Sequence, residues 1–217
     1  MNYLLHYIID HKKNYKHFNV GLILPDIFKG ALANFKNLNA HNNIVQEISE
    51  GCYRHLLSDK AFHTSNFFEE HTHIFNQAFI NKKFTNAFQR KWFIAHICFE
   101  LMLDRAMVKT FPELTNNFYD ELNAVDENEL RAFLEINNGN QIDTYISRIN
   151  HFREVQYIRY YTDNNKFIFS LNKIMARVGL PELSQIDAFE LENILTELEF
   201  TYFADGEELL KSIKKIF

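Results

Sequence analysis

Two rows of polar residues at helical spacing carry the chemistry this chain could support. His55, Asp59 and His63 stand at i, i+4 and i+8. On a helix turning about 100° per residue, successive members of such a row are offset by only about 40° and project from nearly one line. Leu56, Leu57, Ala61 and Phe62 flank the row and place it at the border of a core. His96, Glu100 and Asp104 repeat the spacing among Ile94, Ile97, Phe99, Leu101 and Leu103. A carboxylate in such surroundings is costly without a cation or a hydrogen-bond partner. Imidazole and carboxylate both ligate divalent ions, and facing helices of a bundle can bring two such rows onto one metal centre. The same spacing also makes ordinary helix-face pairs, and from the residues alone both readings stand.

Asp26 is the lone charge in Leu22-Ile23-Leu24-Pro25-Asp26-Ile27-Phe28, just after a proline. It reads either as a carboxylate favoured at a helix N-terminus or as a ligand held on a short turn. His71 and His73 are two apart, which on a helix points them about 200° from each other, so they read as surface. His11, His17 and His41 lie among Lys and Asn and also read as exposed, as does His151. Cys52 and Cys98 show no C-x-x-C spacing and read as buried, reduced thiols.

The elements that must position these groups are helical. Of 217 residues, 47% are hydrophobic, and the chain holds 22 Phe, 10 Tyr, only 6 Gly and only 3 Pro. That is core material for one compact domain and too few breakers for a β-sandwich. Neither G-x-G-x-x-G nor G-x-x-x-x-G-K-[ST] occurs, which removes the common phosphate-cradling loops. A balance of 23 basic against 28 acidic residues argues against nucleic acid as a partner. No run reaches the ~18 apolar residues a membrane helix needs, and Met1–Asp10 lacks a positive leader, so a soluble, cytoplasmic protein is expected.

Apolar periodicity and capping signals predict helices near 2–10, 21–32, 41–64, 66–81, 84–110, 113–123, 127–137, 141–161, 164–178, 185–200 and 206–216. Phe111-Pro112 ends the long helix at 84–110. Asp126-Glu127-Asn128-Glu129 is a capping-box start, Gly179 with Pro181 a stop, and Ser184 to Asp187 another start. The expectation is an all-α, single-domain helical bundle over 1–217, with residues 182–217 as amphipathic C-terminal helices packed on it.

Three segments together resemble the acyl carrier protein phosphodiesterases, metal-dependent relatives of the HD-domain phosphohydrolases. Met1-Asn2-Tyr3-Leu4-Leu5-His6 is similar to that family's MNFLAH start, and Leu24-Pro25-Asp26-Ile27-Phe28-Lys29-Gly30 to its L-x-D-F-[VI]-[RK]-G segment. His55-Leu56-Leu57-Ser58-Asp59, after Gly51, is similar to its H-R-x-I-D. Weaker similarity runs through residues 92–107 and through Tyr161-Thr162-Asp163, Leu171-Asn172 and Met175-Ala176-Arg177. The chain departs from the pattern at His63 and His96, where the family has Asp, and at Glu100-Leu101, where it has Asp-His.

The resemblance implies an HD-like helical fold and hydrolytic release of 4′-phosphopantetheine from a holo-carrier protein. It implies a divalent metal, Mn²⁺ first, with Mg²⁺, Zn²⁺ and Fe²⁺ as alternatives. Asp26, His55, Asp59, His96 and Glu100 would form or border the metal shell. Asp59 and His63 would carry catalysis, His63 as a further ligand or the proton donor. Asn2 and His6 would orient a ligand or fill the core end of the first helix, and Arg177 would contact phosphate or answer a helix dipole. An acidic acyl carrier protein would dock on Lys82, Lys83, Arg90 and Lys91, a basic run that otherwise reads as a solvated helix start. The competing reading is a helical metal-binding or protein-interaction protein without phosphodiesterase activity.

Overall fold

The computed structural model of the chain describes residues 1–28, 42–85, 90–137 and 141–217. Among them are twelve α-helices, one 3-10 helix and no strand, so the fold is all-α. None of these helices is long and apolar enough to cross a membrane. The chain divides into two compact units, each assembled from two stretches: Met1–Ala61 with Pro112–Gln156, and Phe62–Phe111 with Tyr157–Phe217.

The first unit contains α1 (Tyr3–Asp10), α2 (Lys16–Gly21), α3 (Leu24–Phe28) and most of α4 (Asn43–His63). It is completed by α7 (Pro112–Ala124), α8 (Glu127–Asn137) and α9 (Ile142–Val155). Helices α1, α2 and α9 pack on α7, and α3 and α8 on α9. Leu4, Leu5, Leu22, Val45, Ile48, Phe118 and Ile149 are sealed in its core. Tyr7 meets Phe118 edge-on with ring centroids 5.4 Å apart. Helices α2 and α4 touch backbone to backbone at two glycines. A Cβ on Gly51 would meet the Phe18 carbonyl oxygen and come within 2.9 Å of Gly21 Cα, while one on Gly21 would meet the Ile48 carbonyl oxygen. This contact sets α4, which carries His55, against the α2–α3 corner, which carries Asp26.

The second unit contains α5 (Asn66–Ile80), α6 (Lys91–Thr110), the 3-10 helix Tyr157–Thr162, α10 (Asn164–Arg177), α11 (Gln185–Tyr202) and α12 (Gly206–Lys214). Helix α6 is its centre, packed by α5, the 3-10 helix, α10 and α12. Its residues Leu101 to Met107 are all buried, the charged Asp104 and Arg105 among them. Phe99 is the hub of an aromatic cluster, 5.5 Å from Phe75 and 6.1 Å from Phe62 between ring centroids. Arg105, buried in α6, pairs with Glu199 at 2.7 Å and donates to Asn164 Oδ1 at 2.6 Å.

Local signals explain most of the boundaries. Asp126 and Glu129 close a reciprocal capping box: the Asp126 amide donates to Glu129 Oε2 at 2.8 Å, and Asp126 Oδ1 accepts from the Asn128 amide at 2.7 Å. Gly179 takes the left-handed conformation at φ +73°, and the Leu180 amide donates back to the Met175 carbonyl at 3.0 Å.

Three expected helices differ. The one expected at 84–110 begins at Lys91, because Arg90 is left-handed at φ 50° and Thr85 is held by Asp187, its amide donating at 2.7 Å. Residues 86–89 lie outside the described residues. The one expected at 141–161 ends at Val155, where Gln156 turns left-handed at φ 48°, and a separate 3-10 helix follows. The one expected at 21–32 resolves into the end of α2 and all of α3, and residues 29–32 lie outside the described residues.

Candidate metal centres

Within the first unit, α1 supplies His6, α3 supplies Asp26 and α4 supplies His55. One ligand atom from each lies within 4.8 Å of the other two. His55 Nδ1 donates to the Leu22 carbonyl at 2.7 Å. This fixes the tautomer and leaves the Nε2 lone pair facing Asp26 Oδ1 at 3.8 Å. His6 lies flat on His55, with ring centroids 3.8 Å apart and an interplanar angle of 24°. Its Nδ1 is 3.3 Å from Ser58 Oγ. Ser58 Oγ also lies 3.0 Å from the Arg54 carbonyl and 3.1 Å from the His55 carbonyl; with its proton on either of them it accepts from His6 Nδ1–H, and with its proton turned to His6 it donates to Nδ1. The other ring nitrogen is His6 Nε2. It is buried, makes no hydrogen bond among the described residues, and lies 3.6 Å from Asp59 Oδ1.

Burial is the main force on both imidazoles. It pushes His6, with help from the neighbouring His55, well below the ordinary histidine value, and it lowers His55 to about 4. Both rings are therefore neutral near pH 7, which is the ligating form. Two buried imidazoles converging with a carboxylate fit a divalent ion. The donors need only draw in toward the ~3 Å spacing that ligands adopt around a metal bound at about 2.0–2.2 Å.

Within the second unit, Glu100 Oε1 accepts from His63 Nε2 at 3.0 Å and from His96 Nε2 at 3.1 Å. These three atoms also lie within 4.8 Å of one another. The Phe68 ring stands edge-on to both imidazoles, with centroids 4.7 Å from His63 and 5.1 Å from His96. Burial alone would raise the Glu100 carboxyl, but the imidazole N–H groups bonded to it help hold it well below the usual carboxylate range. An open cleft of about 410 Å³ runs alongside, lined by His63, Ser65, Phe68, Thr72, His73 and Asn76 among others.

The two sequence rows are thus drawn on unevenly. His55 joins His6 and Asp26, while His63, at the other end of the same row, joins His96 and Glu100. Asp59, between them, is 36% exposed at its side chain, and its Oδ1 accepts from the Met1 nitrogen at 2.8 Å. Asp104, the third member of the second row, is fully buried. Leu101, where the resembled family carries His, is core. Asn2 Nδ2 is buried without a hydrogen bond among the described residues.

Arg177 is exposed in the last turn of α10, where it suits the helix dipole. Lys83 and Arg90 are exposed and Lys82 and Lys91 half-buried, with Lys91 Nζ 5.4 Å from the Phe84 ring centre. Lys29 and Gly30 of the Asp26 segment, Gln89 and His41 lie outside the described residues. His17, expected to be exposed, is instead held 3.2 Å from Glu129 and 3.4 Å from Glu47.

His6, expected only in a supporting part, lies among the three groups that could hold an ion. Sequence reasoning gave Ser58, Leu22 and Phe68 no part in setting ring orientation. Ser58 lies inside the His55–Asp59 motif and could have been found there; Phe68 carried no signal.

The chain matches no known family model, no curated protein and no solved structure.

Proposed function

We propose that the chain is a divalent-metal-dependent phosphodiester hydrolase on an all-α scaffold, resembling the acyl carrier protein phosphodiesterases and their HD-domain relatives. The observation that carries this reading is the stacked His6–His55 pair beside the Asp26 carboxylate, with His55 anchored at Nδ1 so that its Nε2 lone pair faces Asp26. All three donors fall in the segments that carry the resemblance. His6, Asp26 and His55 would hold the ion, Mn²⁺ first, with Mg²⁺, Zn²⁺ and Fe²⁺ as alternatives. Such an ion supplies a bound water of lowered pKa and a Lewis acid for a phosphoryl oxygen.

The chain's own residues do the rest. The Leu22 carbonyl holds His55 in its ligating tautomer, and the Ser58 hydroxyl would orient the His6 ring. Asp59, partly open to solvent and paired with the Met1 nitrogen at 2.8 Å, would take a proton at its carboxylate. Lys82, Lys83, Arg90 and Lys91 would meet an acidic carrier protein by charge complementarity.

The test is Mn²⁺-dependent hydrolysis of bis(p-nitrophenyl) phosphate and release of 4′-phosphopantetheine from holo-carrier protein. Activity should vanish with chelator, return with Mn²⁺, and fall about 100-fold or more in His55→Ala and Asp26→Asn. Reversing Lys82, Lys83 and Arg90 to Glu should cost carrier-protein turnover while sparing the small diester. Metal bound without hydrolysis of either substrate would refute the reading. Two His and one carboxylate are also the donor set of non-haem iron sites, so bound iron with that result would favour the non-hydrolytic metal protein.

A further inference from the structure

We infer that His63, His96 and Glu100 form a second metal site, selective for late first-row divalent ions such as Zn²⁺ or Co²⁺ over Mg²⁺. The inference does not depend on the hydrolase reading. It starts from a convergence that helix pairing alone does not require. One carboxylate oxygen, Glu100 Oε1, takes hydrogen bonds from two imidazoles, one four residues before it on α6 and one 37 residues away at the end of α4. An ordinary i, i+4 pair on α6 would be complete with His96 alone.

The geometry is also rigid. Phe68 sits against both rings at 61° and 75°, so neither imidazole turns freely. Ser65 caps α5 by accepting from the Phe68 amide at 3.1 Å, which fixes that phenyl ring's backbone beside His63. The site is reachable: the side chains of His63 and His96 are 30% and 27% exposed, and the adjoining cleft admits an ion with its waters.

Two nitrogens and one carboxylate oxygen with an open side are the protein share of a three-ligand zinc site. Nitrogen donors favour Zn²⁺, Co²⁺ or Fe²⁺ over Mg²⁺, which takes oxygen. The proton balance is simple. Each imidazole that now donates from Nε2 moves that proton to Nδ1 and offers the Nε2 pair to the ion. The ion then takes the place of the two N–H donors beside Glu100.

Full-length protein, stripped with chelator and dialysed against Co²⁺ in millimolar Mg²⁺, tests this by metal content and visible absorption. The His6→Ala/His55→Ala double variant should bind one Co²⁺ with visible bands. Adding His96→Gln should remove it, with affinity falling about 100-fold or more. Circular dichroism checks that the half-exposed His96→Gln variant keeps its helices, and Glu100→Gln provides a second lesion at the same site. Wild type binding one ion, with the double variant still binding one, would support this site and count against the His6–Asp26–His55 centre. A double variant that binds none, or whose Co²⁺ survives both His96→Gln and Glu100→Gln, would overturn the inference.

Discussion

Gly51→Ala tests how the donors of the first unit are held in place. A Cβ there would drive into the Phe18 carbonyl oxygen and lie 2.9 Å from Gly21 Cα and 3.0 Å from the Phe18 carbonyl carbon. Every one of those neighbours is backbone, so no side chain can swing aside and α2 must back away from α4. Overpacking of this kind costs about 1–3 kcal/mol, and rigid neighbours put it near the top of that range. Alanine's better helix propensity returns about 1 kcal/mol. The net loss should be about 2 kcal/mol, which lowers a urea midpoint by about 1 M for a slope near 2 kcal/mol/M. The same retreat pulls Leu22, next to Gly21, from His55, one turn after Gly51, and stretches the 2.7 Å hydrogen bond that sets the His55 tautomer. Metal affinity at His6, Asp26 and His55 should therefore drop about 10-fold or more. Gly179→Ala is the control: nothing lies within 4 Å of its added carbon, and only φ +73° opposes it. It should cost about 1–2 kcal/mol and leave metal binding unchanged. Gly51→Ala with an unaltered urea midpoint would refute the backbone-contact argument.

Asp187, 1% exposed, accepts at its carboxylate from the Thr85 amide and hydroxyl and from the Ser184 hydroxyl, while its own amide donates to Ser184 Oγ. Asp187→Ala should cost about 2–3 kcal/mol by orphaning those donors. Burial alone would raise this carboxyl, but the hydrogen bonds from Thr85 and Ser184 prevail and hold it below its ordinary 3.8. A depressed carboxyl contributes stability above its unfolded pKa and loses it as the pH falls through the folded one. The wild-type advantage over Asp187→Ala should thus be full above pH 3.8 and shrink in stronger acid, and an advantage that does not change with pH would contradict this. Burial also pushes the Cys52 and Cys98 thiols up. Both should ignore a thiol reagent in native protein and react fully in denaturant, and rapid labelling of the folded chain would contradict their placement.

Much of the helix count was legible because it rests on short-range chemistry. Asp126 with Glu129, Ser184, Gly179 and the Phe111-Pro112 step each act within a few residues, and each marks the boundary it predicts. Arg90 and Gln156 were not legible, since neither residue type announces a left-handed backbone and the cause is packing far along the chain. The candidate sites divide in the same way. Helical spacing correctly puts His55, Asp59 and His63 on one face of α4, yet spacing has no means of saying which other helices that face meets. His6 stacking on His55 depends on a contact 49 residues apart, and apolar periodicity reads His6 simply as part of a buried helix. The Glu100 carboxylate was flagged by its apolar neighbours alone, and its demand for a partner is met twice over.

The threading of the two units has a consequence for how the chain must be made. Phe62–Phe111 is spelled out before Pro112–Gln156, so the first unit waits for a long excursion to finish before its second half exists. The entropy of closing that excursion grows only slowly with its length, so the delay is tolerable in free energy but real in time. A nascent chain that has emerged from the ribosome as far as Gln156 would have released all six candidate ligand residues, His6, Asp26, His55, His63, His96 and Glu100. Only the first unit could then be complete. Helix α6 would still lack the 3-10 helix, α10 and α12 that enclose it, and the apolar side chains it buries against them would stand open to chaperones or to other nascent chains.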